Sequence, residues 1–270
     1  MSRIEATELS VGYGKRPVIE EMDLIIPESQ ITSIIGPNGC GKSTLLKTVA
    51  RILKPSHGSV LLDGKAIHKQ STRDIAKKIA ILAQSPHTPE EITVKDLVSY
   101  GRSPYQKGFG QLTAKDWEMI HWALGETNLL EYADRFVHSL SGGQRQRVWI
   151  AMALAQDTDI LLLDEPTTYL DLAHQLDVLQ VLERLNKKQG KTIVMVMHDL
   201  NHASRFSDFI VSMRDGEVIK AGSPRDVMTN KVLRSVFDID AHIVEDPATK
   251  KLACLTYQLV EKDSVTKRRQ

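Results

Sequence analysis

Two cysteines in 270 residues, Cys40 and Cys254, are too few for a disulfide framework, and a reducing, cytoplasmic setting is expected. Charge of one sign is also missing: 35 Lys and Arg stand against 34 Asp and Glu, a formal net charge of +1. No global field therefore recruits nucleic acid or an anionic membrane, and nucleic acid is not expected as a partner. No apolar stretch approaches the ~18 residues that a membrane span needs. The opening Met1-Ser2-Arg3-Ile4-Glu5-Ala6-Thr7-Glu8 lacks the apolar core of a signal peptide. The expectation is a chain that does not itself cross a membrane, which leaves work at a membrane surface open. Internal repeats, low-complexity tracts and sustained heptads are absent as well. What remains is an ordinary composition, 41% hydrophobic and 26% charged, long enough for one large α/β domain or two small ones.

The positive signal is local. Gly36-Pro37-Asn38-Gly39-Cys40-Gly41-Lys42-Ser43-Thr44 follows the apolar run Ile31-Thr32-Ser33-Ile34-Ile35 and precedes Leu45-Leu46-Lys47-Thr48-Val49, apolar at helical spacing. Strand, glycine-rich loop and helix in that order are the setting of a phosphate-binding P-loop. Glycines bring backbone close to a polyphosphate, and the N–H groups of the loop and helix start face the anion. Lys42 is placed for the β- and γ-phosphates and Ser43 for Mg²⁺. Cys40, beside a helix N-terminus, is expected to have a lowered thiol pKa and to be shielded from alkylation by bound nucleotide.

Residues 1–30 read as short β-like runs broken by turn signals at Gly12, Gly14 and Pro27. Tyr13 in that turn is either a nucleobase platform or a loop anchor. Strands are expected over 58–62 and 79–83, the second running into Gln84. From about residue 88 to 158 no strand is predicted; helices over 93–100 and 114–130 flank the irregular Gly101-Arg102-Ser103-Pro104-Tyr105 and Gly108 and Gly110. Ile160-Leu161-Leu162-Leu163 then reads as a strand buried on both faces. A helix over 172–189 follows, with Leu172, Leu176 and Leu179 on its buried face and Gly190 at its end. Next come a strand over 192–197, a helix over 200–206, and strands over 209–213 and 217–221 joined through Asp215-Gly216. A helix over 225–236, a weak strand over 252–259 and a frayed end over 262–270 complete the chain.

Two further stretches carry chemistry. The apolar strand at 160–163 ends in Asp164-Glu165-Pro166, where carboxylates project into the ligand crevice of a parallel sheet. Asp164 is placed to hold Mg²⁺ through its water shell and Glu165 to act as general base. Leu140-Ser141-Gly142-Gly143-Gln144 opens a helix with a hydroxyl and free N–H groups, either a second anion site or an ordinary capped helix. A second anion site is more than a simple P-loop kinase needs.

At this point the chain resembles the nucleotide-binding subunit of an ABC transporter, over nearly its whole length. The resemblance implies an α/β P-loop NTPase core with a mixed, mainly parallel sheet, an N-terminal antiparallel β subdomain and an inserted α-helical subdomain. Its implied bounds are 88–158 for the insertion, 1–87 and 159–250 for the core, and 251–270 for the C-terminal end. It implies that Tyr13 stacks on the adenine of ATP, that residues 36–44 hold its phosphates, and that Ser43, Gln84 and Asp164 serve Mg²⁺. Glu165 becomes the catalytic carboxylate, with Lys42, Gln84 and the switch His198 beside it; taken alone, a histidine after an apolar strand reads as structural. Ser141, Gly142, Gly143 and Gln144 become the family signature, completing the ATP site of a second copy paired head to tail. Tyr169-Leu170-Asp171 matches the dimer-contacting loop, except that Tyr169 replaces a common small residue.

Gly101-Arg102-Ser103-Pro104-Tyr105, the run Thr168-Tyr169-Leu170-Asp171-Leu172-Ala173-His174-Gln175, and His198-Asp199-Leu200-Asn201-His202-Ala203 are similar to ATPases of bacterial iron–siderophore, haem and cobalamin importers. That branch implies two integral-membrane permease subunits, an extracytoplasmic substrate-binding protein and a peripheral place on the cytoplasmic face of the membrane. It also implies a groove for a permease helix formed by the loop after Gln84 and residues 93–105. Glu90, Glu91, Lys95, Asp96 and Arg102 otherwise read as a solvated face. Another transported substrate, an exporter subunit, a soluble ABC ATPase of translation or repair, and a non-enzymatic regulator are the alternatives. One P-loop without a coiled coil speaks against the soluble ATPases, and Lys42, Glu165 and His198 speak against the regulator.

Overall fold

The computed structural model describes residues 2–14, 16–84, 91–106, 111–168 and 170–260. The expectations at 85–90 (including Glu90), Gly108, Gly110, Tyr169 and 262–270 lie outside these residues. In chain order the elements begin with β1 (Ser2–Tyr13), β2 (Arg16–Pro27), β3 (Ile31–Ile35), α1 (Lys42–Val49), β4 (His57–Leu62), β5 (Lys65–Ala66), α2 (Thr72–Ala76) and β6 (Ile79–Leu82). There follow α3 (Val94–Ser99), α4 (Ala114–Glu126), α5 (Gly142–Ala155), β7 (Ile160–Asp164), α6 (Leu172–Gln189), β8 (Thr192–Val196) and α7 (Leu200–Phe206). The chain continues through β9 (Phe209–Arg214), β10 (Glu217–Gly222), α8 (Pro224–Val227), α9 (Asn230–Phe237), β11 (Ile239–Glu245) and β12 (Leu252–Leu259).

The uninterrupted apolar runs form the middle of a six-stranded sheet ordered β10-β9-β3-β8-β7-β6, parallel except for β10. Why those runs do not alternate with polar residues is visible in the packing. Ile31, Ile35, Leu161, Leu163, Ile193 and Met195 point into one hydrophobic cluster, with the helices α3 to α6. Ile34, Leu162, Val194 and Val196 point into a second, shared with β1, β2 and β4. Both faces are dry, so successive residues are apolar. Between β6 and β7 the described residues contain helices and a single isolated bridge, Thr93 to Phe136.

The N-terminal sheet, β2-β1-β4-β5, is antiparallel. Its first two strands are longer than the turn signals suggest. Glu8 and Glu21 take positive φ (47° and 49°), and the β1–β2 register shifts around Leu9. The strands absorb these irregularities as bulges and continue. Gly12 thus lies within β1, and only Gly14 remains in the tight connection.

Other expectations need correction. The helix predicted over 114–130 stops at Glu126, because Asn128 adopts a left-handed φ of 54° and turns the chain. The helix predicted over 225–236 is two, α8 and α9, since Thr229 caps a new start by accepting the N–H of Val232. Leu172 is 66% exposed: it begins α6 beyond the edge of the core, while Val178, Leu179, Leu182 and Leu185 are buried. Gly190 does end α6, with φ 65°. Strands β5 and β11 and helix α2 carry no signal strong enough for prediction.

Arg102 is the largest departure. It is 2% exposed, its Nε lies 2.8 Å from Oδ1 of buried Asp116, and its Nη1 donates to the Ala155 carbonyl at 2.7 Å. The Tyr105 ring covers it at 4.0 Å. Burial pushes the Asp116 carboxyl up, but hydrogen bonds from Thr113 and Arg102 prevail and hold it below the usual aspartate range. Its stabilisation is therefore present above the unfolded pKa and lost as pH falls through the lowered folded one. Arg102→Ala leaves the buried Asp116 charge without its cation, held by Thr113 alone, and is expected to cost about 3–5 kcal/mol. Urea unfolding at neutral pH measures this; a loss under ~1 kcal/mol would mean the pair behaves as a solvated one.

Candidate nucleotide site

β3, β8, β7 and β6 are neighbours in that order and run parallel, so whatever follows their carboxyl ends converges. The glycine-rich loop follows β3, His198 follows β8, Glu165 follows β7 and Gln84 follows β6. They enclose a cavity of about 600 Å³. Asn38, Gly39, Gly41, Lys42, Ser43 and Thr44 form one wall, Gln84, Glu165 and His198 another, and Tyr13 and Val18 the rim. Tyr13 is 51% exposed there.

The loop is shaped for close approach. A Cβ on Gly36 would lie 2.2 Å from the Met213 carbonyl oxygen, so only glycine lets the chain leave β3 at that angle. Gly41 precedes α1 in a left-handed conformation and offers no side-chain cap, so no cap side chain takes the first N–H groups of α1. Lys42 is 5% exposed, and its Nζ donates to the carbonyls of Gly36 and Pro37, both at 2.9 Å. That uses two of its three donors.

Cys40 departs from expectation. Its side chain is 3% exposed and packs into the cluster between the two sheets. Burial pushes the thiol pKa up, against the smaller opposing effect of Lys42. Apolar burial outweighs both the helix start and Lys42, so a ready reaction with alkylating agents is not expected.

The two carboxylates differ. Asp164 is 2% exposed and accepts from Ser43 Oγ at 2.8 Å. Burial raises its pKa, with the hydrogen bond from Ser43 opposing and the Glu165 charge adding. Glu165 takes a left-handed φ of 55°, a strain of ~1–3 kcal/mol that turns its carboxylate into the cavity. There it faces His198 Nε2 at 2.6 Å and accepts from Gln84 Nε2 at 2.8 Å and Thr168 Oγ1 at 3.0 Å. Burial pushes this carboxyl up too, but His198, Thr168 and Gln84 outweigh it and hold it below the usual glutamate range. Three partners leave room for one more donor among the roughly four acceptor positions of a carboxylate.

These donors suit a nucleotide triphosphate with its cation: N–H groups and an ammonium for phosphate, and a hydroxyl beside a buried carboxylate for magnesium. Among the described residues no group of three or more His, Cys, Asp or Glu could hold a metal unaided. Mg²⁺ characteristically takes few protein ligands and completes its shell with phosphate oxygens and water.

The residues at 141–144 are not among those lining this cavity. They start α5, with Ser141 as its N-cap. Sequence reasoning missed Val18 and Thr168. Val18 reaches the rim because β2 turns back beside Tyr13, which pairs with Arg16, and only pairing register reveals that. Thr168 stands three residues after Glu165, a spacing that hints at a local side-chain bond.

Fold and site together define a P-loop ATPase. A family model described as ABC transporter matches residues 19–168. The chain is 59% identical over 268 residues to the iron(3+)-hydroxamate import ATP-binding protein FhuC of Bacillus subtilis (strain 168), spanning 98% of this chain and 100% of that protein. It is 44% identical over 247 residues to the ferric enterobactin transport ATP-binding protein FepC of Escherichia coli (strain K12), spanning 92% and 91%. A solved dimeric bacterial ABC transporter cassette superimposes with a TM-score of 0.73 at 31% identity, covering 82% of this chain and 99% of that one. This chain belongs to the ABC transporter family and is an ATP-hydrolysing subunit of that class.

Proposed function

We propose that this chain powers the import of ferric siderophores. Two copies pair head to tail around two ATP, each held with Mg²⁺, at the cytoplasmic face of the membrane. They drive two integral-membrane permease subunits that receive substrate from an extracytoplasmic binding protein. The near-complete coverage at 59% identity to a hydroxamate-import ATPase carries the substrate class. Among the described residues no helix is long and apolar enough to cross a membrane, in keeping with a peripheral subunit. The same reading divides the chain into a core (1–87 and 159–250), a helical insertion (88–158) and a C-terminal end (251–270).

Bound ATP would supply the γ-phosphoryl group, which water takes as ADP leaves, and its cation would offset the charge on the phosphate oxygens. The residues do the rest by position and electrostatics, which dominate phosphoryl transfer. Tyr13 and Val18 hold the base at the rim. Residues 36–44 cradle the phosphates, with Lys42 releasing its hold on the Gly36 and Pro37 carbonyls to meet them. Ser43, whose hydroxyl is held by Asp164, and the Gln84 amide oxygen would hold the cation. Glu165 accepts the proton of the attacking water, His198 holds that carboxylate and faces the γ-phosphate, and residues 141–144 of the second copy close the site. A site split in this way favours the closed pair when ATP bridges it and releases the pair after hydrolysis. The permeases read that motion as alternating access, through a groove that includes residues 93–105.

A strain lacking this chain, supplied with one iron source at a time, tests the assignment. Growth on ferric hydroxamate siderophores should be lost and restored by the wild-type chain but not by Lys42→Ala. Unimpaired growth on every siderophore, with a defect on haem or cobalamin instead, would move the substrate to that class.

A further inference from the structure

The helix start at residues 141–144 is braced from outside. Ser141 Oγ accepts the N–H of Gln144 at 3.3 Å and Gln144 Oε1 accepts the N–H of Ser141 at 3.0 Å, a reciprocal cap. The hydroxyl proton of Ser141 stays free to donate. The two glycines are glycine for different reasons. A Cβ on Gly142 would meet nothing within 4 Å, which leaves that position open to an approaching group. A Cβ on Gly143 would lie 2.5 Å from Cδ2 and 2.7 Å from Cγ of His174.

His174 is in the first turn of α6. Asp171 caps that helix: its Oδ1 accepts the His174 N–H at 2.9 Å and lies 2.6 Å from His174 Nδ1. The ring is clamped by Asp171 on one side and rests on Gly143 on the other. Its side chain is 36% exposed, so it adds little to the hydrophobic core. A second tie lies one turn on, where Gln146 Nε2 donates to the Pro166 carbonyl at 2.9 Å, next to Glu165. The Leu170 carbonyl in the same loop is held by Gln175 Nε2 at 2.9 Å.

We propose that His174 is a positioning residue for the signature turn. Held by Asp171, its imidazole fixes the start of α5 so that the Ser141 hydroxyl and the N–H groups of Gly142 and Gly143 meet the phosphate bound by the partner copy. The role rests on the two-sided site proposed above. A ring about one-third exposed in this place serves geometry more than folding stability, and a turn left unfixed must be ordered at the cost of binding.

The test uses the full chain carrying Glu165→Gln, in which the concentration of MgATP giving half-maximal dimer is read by size-exclusion chromatography. Adding His174→Ala should raise that concentration about tenfold, as expected for a misplaced contact group. His174→Asn keeps an N–H for Asp171 and should return it to within about twofold of the parent. Binding of a fluorescent ATP analogue to the monomer should not change, and without the Glu165 substitution His174→Ala should raise KM more than it lowers kcat. Gly143→Ala should weaken dimerisation, and His174→Ala added to it should recover part of the loss by removing the clash. A parent that forms no dimer with MgATP overturns the two-sided site and this role with it. A parent that dimerises with an ATP dependence indifferent to His174 overturns this role alone.

Discussion

Glu165→Gln is expected to reduce ATP turnover by roughly 10²–10⁴ while MgATP still binds and a closed, ATP-loaded dimer accumulates. The substitution keeps the volume and one acceptor oxygen of the side chain, so Thr168 and Gln84 have somewhere to donate. What it removes is the negative charge facing His198 Nε2 at 2.6 Å and the capacity to take a proton from water. The proposed phosphate wall at residues 36–44 is untouched, which is why binding and turnover should separate. Phosphate release measures the first effect, and a nucleotide-retaining dimer on size exclusion the second. The lowered pKa of Glu165 gives the sign of its own contribution: the carboxylate is ionised at neutral pH, and what it adds to activity should be lost as pH drops through a value below the usual glutamate range. Turnover within tenfold of wild type in the Gln variant would show that another group accepts the proton.

The elements bounded by strong local chemistry were legible before the structure. α6 ends at Gly190, and the β9–β10 turn takes positive φ at both Asp215 and Gly216, as a type I′ hairpin requires. The doubly buried strands announced themselves by unbroken apolar runs, and the motifs at their ends placed one wall of the site. Features set by tertiary context were not legible. Whether Glu8 and Glu21 end a strand or bulge within it depends on the partner strand, and Val18 joins the rim only through that pairing. Arg102 looks like its charged neighbours until Asp116, fourteen residues on, is folded against it. Cys40 shows a local rule losing to burial: the helix start favours a thiolate, and the sheet interface into which the sulfur points disfavours it more strongly. The contact of Gly143 with His174 lies between α5 and α6, where no spacing rule reaches.

If the site is shared between copies, two inactive variants should repair each other. Lys42→Ala removes the ammonium held at the phosphate wall. Ser141→Arg puts a long cation at the start of α5, where Gly142 leaves open space, and blocks the approach of a partner. Each variant alone can form only sites with one damaged half, so each should hydrolyse ATP at under about 1% of the wild-type rate, a loss typical of removing groups that act as a unit. In a mixed pair, one site combines both injuries. The other joins the intact residues 36–44 of the Ser141→Arg chain to the intact residues 141–144 of the Lys42→Ala chain. Mixing equal amounts should therefore restore hydrolysis, to about a quarter of the wild-type rate if pairing is random and sites act independently, and to less if they must act together. The Ser141→Arg chain should still bind ATP as a monomer, because its own cavity is lined by other residues. Hydrolysis that stays absent on mixing, from chains shown to pair, would mean that each copy carries a whole site. The lining of the cavity beside Lys42 argues otherwise: it includes Tyr13, the glycine-rich loop and Glu165 but none of residues 141–144, which start α5.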